Sequence, residues 1–252
     1  RRAGGRRRAA RSPIILAPVL RPLLALAGAS VIALAGCGSG DESADPQPAQ
    51  TGTQTTARAA LPAGCRKAPA PRPRAEGGVR RPAGSLRSGR TWTAEIRTNC
   101  GTIAIRLATD RAPRTAASFA ALVRRGFYDG LTFHRIAGDP ASGPFVIQGG
   151  DPLGTGLGGP GFSVVERPPG DLRYTKGMVA MAKTSSEPAG ASGSQFFIVT
   201  AEDAGLPPEY ALVGRVSDGM DVVERIASAP TGADERPATP MVMLDATLRS
   251  SS

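Results

Sequence analysis

Thr91-Trp92-Thr93-Ala94-Glu95-Ile96-Arg97-Thr98-Asn99-Cys100-Gly101-Thr102-Ile103-Ala104-Ile105-Arg106-Leu107 alternates apolar and polar residues twice over. Trp92, Ala94 and Ile96 fall on one face, Asn99-Cys100-Gly101 interrupts, and the alternation resumes at Ile103, Ile105 and Leu107. A period of two predicts strands, and a glycine between two such runs predicts a turn, so the stretch is an antiparallel hairpin. Downstream, Asp110 has the chemistry of a helix N-cap, with Pro113 in the first turn. Phe119, Leu122 and Val123 then follow at helical spacing, and Gly126 stops the helix. A second short helix, capped by Asp218, carries Met220, Val223 and Ile226 on one face.

Six further apolar runs are bounded by Gly, Pro and Asp: 131–136, 145–148, 178–182, 195–200, 211–216 and 241–248. Eight strands with only two helices do not make a parallel α/β sheet. The expected class is mainly β: a closed eight-stranded antiparallel barrel capped by two α-helices, preceded by a disordered N-terminal leader and linker.

The chain has 252 residues, 31 Lys+Arg against 21 Asp+Glu, and a formal charge of +10. That length suits one domain with appendages. The charge is unevenly spread. Residues 1–36 hold seven arginines and no acids, and residues 37–90 hold nine basic and four acidic residues. From Thr91 onward there are 15 basic and 17 acidic residues, so the folded part is no basic platform and nucleic acid is not an expected partner. No run reaches the roughly 20 apolar residues of a spanning helix, which excludes a multi-span membrane protein.

Residues 1–36 read as an export signal, with an arginine-rich start, an apolar stretch from Pro22 to Ala33, and small residues after it. The closing Leu34-Ala35-Gly36-Cys37 resembles the lipobox of bacterial lipoproteins, which implies lipidation of Cys37 and a domain anchored on the extracytoplasmic side of a cell membrane. A plain signal peptide or an uncleaved anchor is the alternative. Residues 37–90, rich in Pro, Ala, Ser and Thr, bury too little apolar surface to offset their ordering entropy, and are expected to be a flexible tether. Residues 91–249 are then the folded domain. With Cys37 lipidated, Cys65 and Cys100 remain as an even pair, either joined in an oxidising compartment or left as two free thiols. A bridge would close a loop of about 36 residues and stabilise by roughly 3–4 kcal/mol. No two cysteines stand at metal-ligand spacing and there is one histidine, so neither metal nor cofactor is expected.

Gly154-Thr155-Gly156-Leu157-Gly158-Gly159 matches a dinucleotide fingerprint in letters only. Pro160-Gly161 blocks the helix whose amides would meet a pyrophosphate, so this is a loop. His134 and Ser194 lack the surroundings of a hydrolase triad; His134 reads as a hydrogen-bonded core histidine.

Two blocks carry more. Phe133-His134-Arg135-Ile136, followed by Phe145-Val146-Ile147-Gln148-Gly149-Gly150-Asp151, is one; Gly193-Ser194-Gln195-Phe196-Phe197-Ile198 is the other. Together they resemble the signature blocks of the cyclophilin-type peptidyl-prolyl cis-trans isomerases, and the likeness runs from about Thr91 to Leu248. The resemblance implies an eight-stranded barrel closed by two helices and rotation about Xaa-Pro bonds. It implies Arg135 and Gln148 as catalytic, with Arg135 donating to the proline nitrogen and Gln148 bonding the substrate backbone. It places Phe145, Val146, Phe197, Leu206 and Tyr210 around the proline ring, and Ala182, Lys183 and Gln195 along an extended peptide. Without the motif, Arg135 would read as a solvent-facing strand arginine in an ion pair.

The implied partners are proline-containing peptides and unfolded or partly folded exported proteins, met by a monomer. The alternative is a peptide-binding, chaperone-like module with little turnover. The chain departs from the common pattern at Gly205, where many members carry a tryptophan that contacts cyclosporin, and at Val146, Lys183 and Tyr210. Extra segments, Ala137 to Pro144 and Thr184 to Ser192, flank the implied groove.

Overall fold

The opening hairpin forms in the register that its alternation requires. In the computed structural model, which describes residues 60–252 apart from residues 70, 72, 73 and 140, β1 (Thr91–Thr98) pairs with β2 (Gly101–Leu107). Ala94 lies opposite Ile105 and Ile96 opposite Ile103, and all four are fully buried.

Helix α1 (Pro113–Arg124) follows. Asp110 does not cap it: the N-cap is Ala112, and Asp110 stays in the preceding turn, where the Ala112 amide donates to the Ala108 carbonyl. The first free amides are met instead by a carboxylate distant in sequence, Arg114 N and Thr115 N donating to Glu166 at 3.2 and 2.7 Å. Such a carboxylate also complements the helix dipole. Gly126 does stop the helix. At φ +62 its amide bonds Val123 O while Phe127 N bonds Leu122 O, the two-bond arrangement of a glycine-terminated helix.

Then come β3 (Thr132–Asp139), β4 (Gly143–Gly149), β5 (Val164–Val165), β6 (Met178–Met181), β7 (Ala191–Ser192), β8 (Phe196–Val199), β9 (Leu212–Asp218), α2 (Met220–Ala227) and β10 (Met241–Ser251). Eight of these close a barrel in the order β1-β10-β3-β4-β8-β6-β9-β2, and every pair is antiparallel. All eight expected strands are present. The two-residue pair β5-β7 was not legible in the sequence. Asp218 ends β9 rather than capping α2; the N-cap is Gly219 at φ +83, where a Cβ would strike the Thr102 carbonyl.

Strand alternation sorts the apolar residues into two cores. Ile147, Phe196 and Ile198 join the larger one with the opening hairpin and α1. Their neighbours Val146, Phe197 and Val199 face the other way, into a second cluster with Tyr174, Leu206 and Tyr210. The larger core is aromatic where α1 meets the sheet, Phe119 lying edge-on to Phe196 with centroids 5.4 Å apart.

The segment expected to be a free tether is a strap over its described part. Leu61, Cys65, Val79 and Leu86 pack on the larger core. Gly77 N bonds Gly159 O, Val79 N bonds Pro160 O, and the Arg74 guanidinium reaches the Gly126, Phe127 and Asp129 carbonyls. Cys65 and Cys100 are joined by a disulfide. Apolar side chains spaced among prolines, a covalent pin and backbone pairing together offset the ordering entropy that composition alone left uncompensated. Cys37 lies outside the described residues. The extra segment before Phe145 extends the β3-β4 hairpin, pairing Ala137 with Val146 and Gly138 with Pro144.

Candidate active site

Adjacent strands bring Arg135 and Gln148 together, since they are register partners across β3 and β4. The Arg135 Nη1 donates to Gln148 Oε1 at 3.2 Å. Gln148 Nε2 donates in turn to Gln195 Oε1 at 3.0 Å, and Gln195 Nε2 to the Gly156 and Gly158 carbonyls at 3.0 and 2.8 Å. Each amide is thereby oriented by the next, and the chain of bonds ends on a backbone loop.

That loop is the failed dinucleotide fingerprint, and Asp151 shapes it. Its carboxylate accepts from Leu153 N, Thr155 Oγ1 and Gly156 N. Arg236 holds it from the other side through the Gly154 and Thr155 carbonyls.

The guanidinium has a second anchor. Arg135 Nε donates to Glu235 Oε2 at 2.6 Å, with the two side chains 20% and 36% exposed. The ion pair that a bare strand arginine would suggest therefore coexists with the glutamine contact. Among the described residues, Glu235 and Gln148 thus each take one of its five N–H donors.

Beside this polar line stands the second apolar cluster. Phe145 is half-buried in it, whereas Val146, Phe197, Leu206 and Tyr210 are buried. Tyr174, Phe197 and Tyr210 form an aromatic triangle with centroids 5.3 to 6.1 Å apart. Tyr174 was not singled out by sequence reasoning, lying in a loop without periodicity. It fixes Tyr210 twice, its hydroxyl donating to Tyr210 O at 2.6 Å and accepting from Tyr210 N at 2.9 Å. Burial raises the pKa of both tyrosines, and the Arg135 charge opposes the rise at Tyr210.

Ala182, Lys183, Gln148 and Gln195 border a cavity of about 400 Å³, closed on one side by residues 156–163 and by Glu76 of the strap. The Lys183 ammonium is already engaged: it pairs with Glu209 at 3.2 Å, donates to the Thr184 and Glu187 carbonyls, and lies 5.8 Å from the Tyr210 ring centroid. It clamps the second extra segment. Gly205 is exposed, with open space around its Cβ position, so no aromatic wall stands there.

Ser194 is buried, and its hydroxyl donates to Gly150 O. His134 is buried too, but contrary to expectation neither ring nitrogen has a hydrogen-bond partner among the described residues. Burial pushes its pKa down to about 4; the Asp151 carboxylate and the nearby Thr132 backbone pull it up, while Arg236 and Arg135 push it further down. Among the described residues no group of three or more His, Cys, Asp or Glu side chains is placed to hold a metal ion.

A guanidinium held by Gln148 and Glu235, a pair of glutamines and the second apolar cluster thus meet on neighbouring strands of the barrel. Residues 93–248 match the family described as cyclophilin type peptidyl-prolyl cis-trans isomerase/CLD. The chain is 43% identical over 143 residues to peptidyl-prolyl cis-trans isomerase-like 1 of Rhizopus delemar, covering 55% of this chain and 82% of that one. It is 37% identical over 163 residues to the mouse protein of that name, covering 62% and 93%. Among solved structures, a Cryptosporidium parvum cyclophilin type isomerase in the presence of the dipeptide Ala-Pro superposes with a TM-score of 0.57 at 30% identity, covering 63% of this chain and 99% of the other. The chain belongs to the cyclophilin-type peptidyl-prolyl cis-trans isomerase family, whose members rotate the peptide bond preceding proline.

Proposed function

We propose that this isomerase acts on exported proteins as they fold outside the cytoplasm, held to a membrane by lipid on Cys37, with Arg135 as its catalytic cation. The lipobox-like Leu34-Ala35-Gly36-Cys37 supports the anchoring, and the Cys65–Cys100 disulfide fits an oxidising compartment.

The reaction has a barrier of about 18–20 kcal/mol, because the planar amide has partial double-bond character. Twisting it removes resonance and returns lone-pair density to the proline nitrogen. A donor aimed at that nitrogen binds the twisted form better than either planar form, which is what lowers the barrier. Arg135 offers its donors in a rigid fork and is held at Gln148, on the strand next to the apolar cluster. A charge-assisted hydrogen bond contributes about 1.5–3 kcal/mol, or roughly one to two decades of rate. The remainder comes from holding the peptide. Phe145, Val146, Phe197, Leu206 and Tyr210 form the shelf for the proline ring, Gln148 and Gln195 take the backbone, and Ala182 and Lys183 form the far border.

The observation that carries this reading is the Arg135–Gln148–Gln195 line along the second cluster. The Ala-Pro dipeptide present with the Cryptosporidium relative supports proline-containing peptides as ligands. A protease-coupled assay on a proline peptide tests the mechanism: Arg135→Ala should lower the rate by at least tenfold, and an unchanged rate refutes it. Peptide binding without accelerated exchange would establish a binding module instead. Membrane fractionation of the full chain tests the anchor, Cys37→Ala releasing it to the soluble fraction.

A further inference from the structure

Among the described residues, Glu235 is the one non-glycine with positive φ, at +61. It lies between α2 and β10, and its loop is tied down on several sides. Glu235 N bonds Gly232 O at 3.0 Å, Gly232 N bonds Arg236 O at 2.9 Å, and the Arg236 guanidinium holds the Gly154 and Thr155 carbonyls. Most telling is the amide of Ile136, directly after Arg135, which donates to Glu235 O at 2.8 Å. The glutamate backbone is thus hydrogen-bonded to the same strand segment whose arginine its carboxylate grips at 2.6 Å.

A left-handed backbone favours glycine or asparagine, and a glutamate there is strained by its Cβ. Strain of this kind persists where the surrounding structure over-determines it, and it concentrates at functional sites. Glycine would suit the Glu235 backbone better, but it could not supply the carboxylate.

We propose that Glu235 is the positioning residue of the isomerase, holding the Arg135 guanidinium by its Nε so that its remaining Nη donors face the peptide. The proposal rests on the reading of Arg135 as the catalytic cation. A long side chain with one anchor, Gln148, would pivot about it. A second anchor on Nε fixes the plane, so the transition state is met by a donor already in place. Substrate binding draws on the apolar shelf and the glutamines, which Glu235 does not touch. Its loss should therefore appear in kcat and leave KM nearly unchanged.

Two substitutions in the full chain separate positioning from support of the fold. Glu235→Gln keeps the shape and removes the charge. Glu235→Gly removes the side chain and relieves the backbone, so the thermal midpoint should stay level or rise. Both should lower kcat roughly tenfold. In an Arg135→Ala background Glu235→Gly should cause no further loss, because the residue it positions is gone. Unchanged or raised kcat, a loss matched by a lower midpoint in Glu235→Gly, or an undiminished effect without Arg135 each overturns the proposal. A readout independent of turnover accompanies these: the Arg135 Nε–H signal in a 15N-labelled chain, assigned by its disappearance in Arg135→Lys. It should exchange slowly with solvent in the wild type and quickly in Glu235→Gly. A chain that fails to accelerate isomerisation would refute the activity of Arg135 while this signal still tests the anchor, and a signal unaltered by Glu235→Gly would refute the anchor itself.

Discussion

Lowering the pH from 7 to 4 puts a proton on the histidine of the unfolded chain well before it puts one on the folded chain. His134 is the single histidine, is 6% exposed, and has a folded pKa pushed by burial from 6.5 to about 4. Because the folded value is the lower one, the unfolded state takes the proton first. The histidine's contribution to stability is full above about pH 6.5, falls between there and about pH 4, and levels off below, where both states are protonated. At about 1.36 kcal/mol per pH unit, the loss reaches about 3 kcal/mol at pH 4, a large share of a small domain's stability. The assay is urea denaturation at a series of pH values, for the wild type and for His134→Leu. Among the described residues the imidazole has at most the Thr132 backbone beside it, so an apolar side chain of similar volume forfeits little and should roughly match the wild type at pH 7. The difference between the two proteins isolates the histidine from every carboxylate that also titrates. Its lone imidazole resonance can be followed directly by NMR and should show a midpoint near 4. A midpoint near 6.5, or equal acid sensitivity in both proteins, would refute the reasoning.

Reducing the Cys65–Cys100 bond, or replacing both cysteines by serine, should cost about 3–4 kcal/mol in denaturation experiments and speed amide exchange at Gly77 and Val79; protection that survives reduction would mean that the strap holds by packing alone. Tyr174→Phe strands the buried amide and carbonyl of Tyr210, so it should destabilise by about 1–3 kcal/mol and raise KM, and a variant as stable as the wild type would contradict that role. Gly205 leaves open space where a tryptophan would contact cyclosporin, so inhibition in the peptide assay should be weak, and nanomolar inhibition would count against the groove as described.

Much of the barrel could be read before any coordinate, because a period of two is local information. Ala94, Ile96, Ile103 and Ile105 announced a hairpin by alternation alone, and all four are core. The caps did not yield in the same way. Asp110 and Asp218 have the right chemistry three and two residues before a helix, but the amides of α1 are met by Glu166, about fifty residues further on, and α2 begins at a left-handed glycine pressed against Thr102. Propensity ranks the nearest residue and says nothing of a distant one that folding delivers.

The site divides along the same line. The order of residue types in Phe133-His134-Arg135-Ile136, Phe145-Val146-Ile147-Gln148 and Gly193-Ser194-Gln195-Phe196-Phe197-Ile198 was enough, through the family resemblance it carries, to single out Arg135, Gln148 and Gln195. Which anchor fixes the guanidinium was not, since Glu235 lies 100 residues along the chain in a polar loop that no spacing marks. Nor could composition show that the described part of the Pro- and Ala-rich strap would dock on the barrel with Glu76 at the cavity rim. Strand periodicity and short motifs are written in neighbouring residues and are therefore sequence properties. Ion pairs, remote caps and the burial of His134 depend on what the closed barrel brings within a few ångströms, and only the tertiary structure decides that.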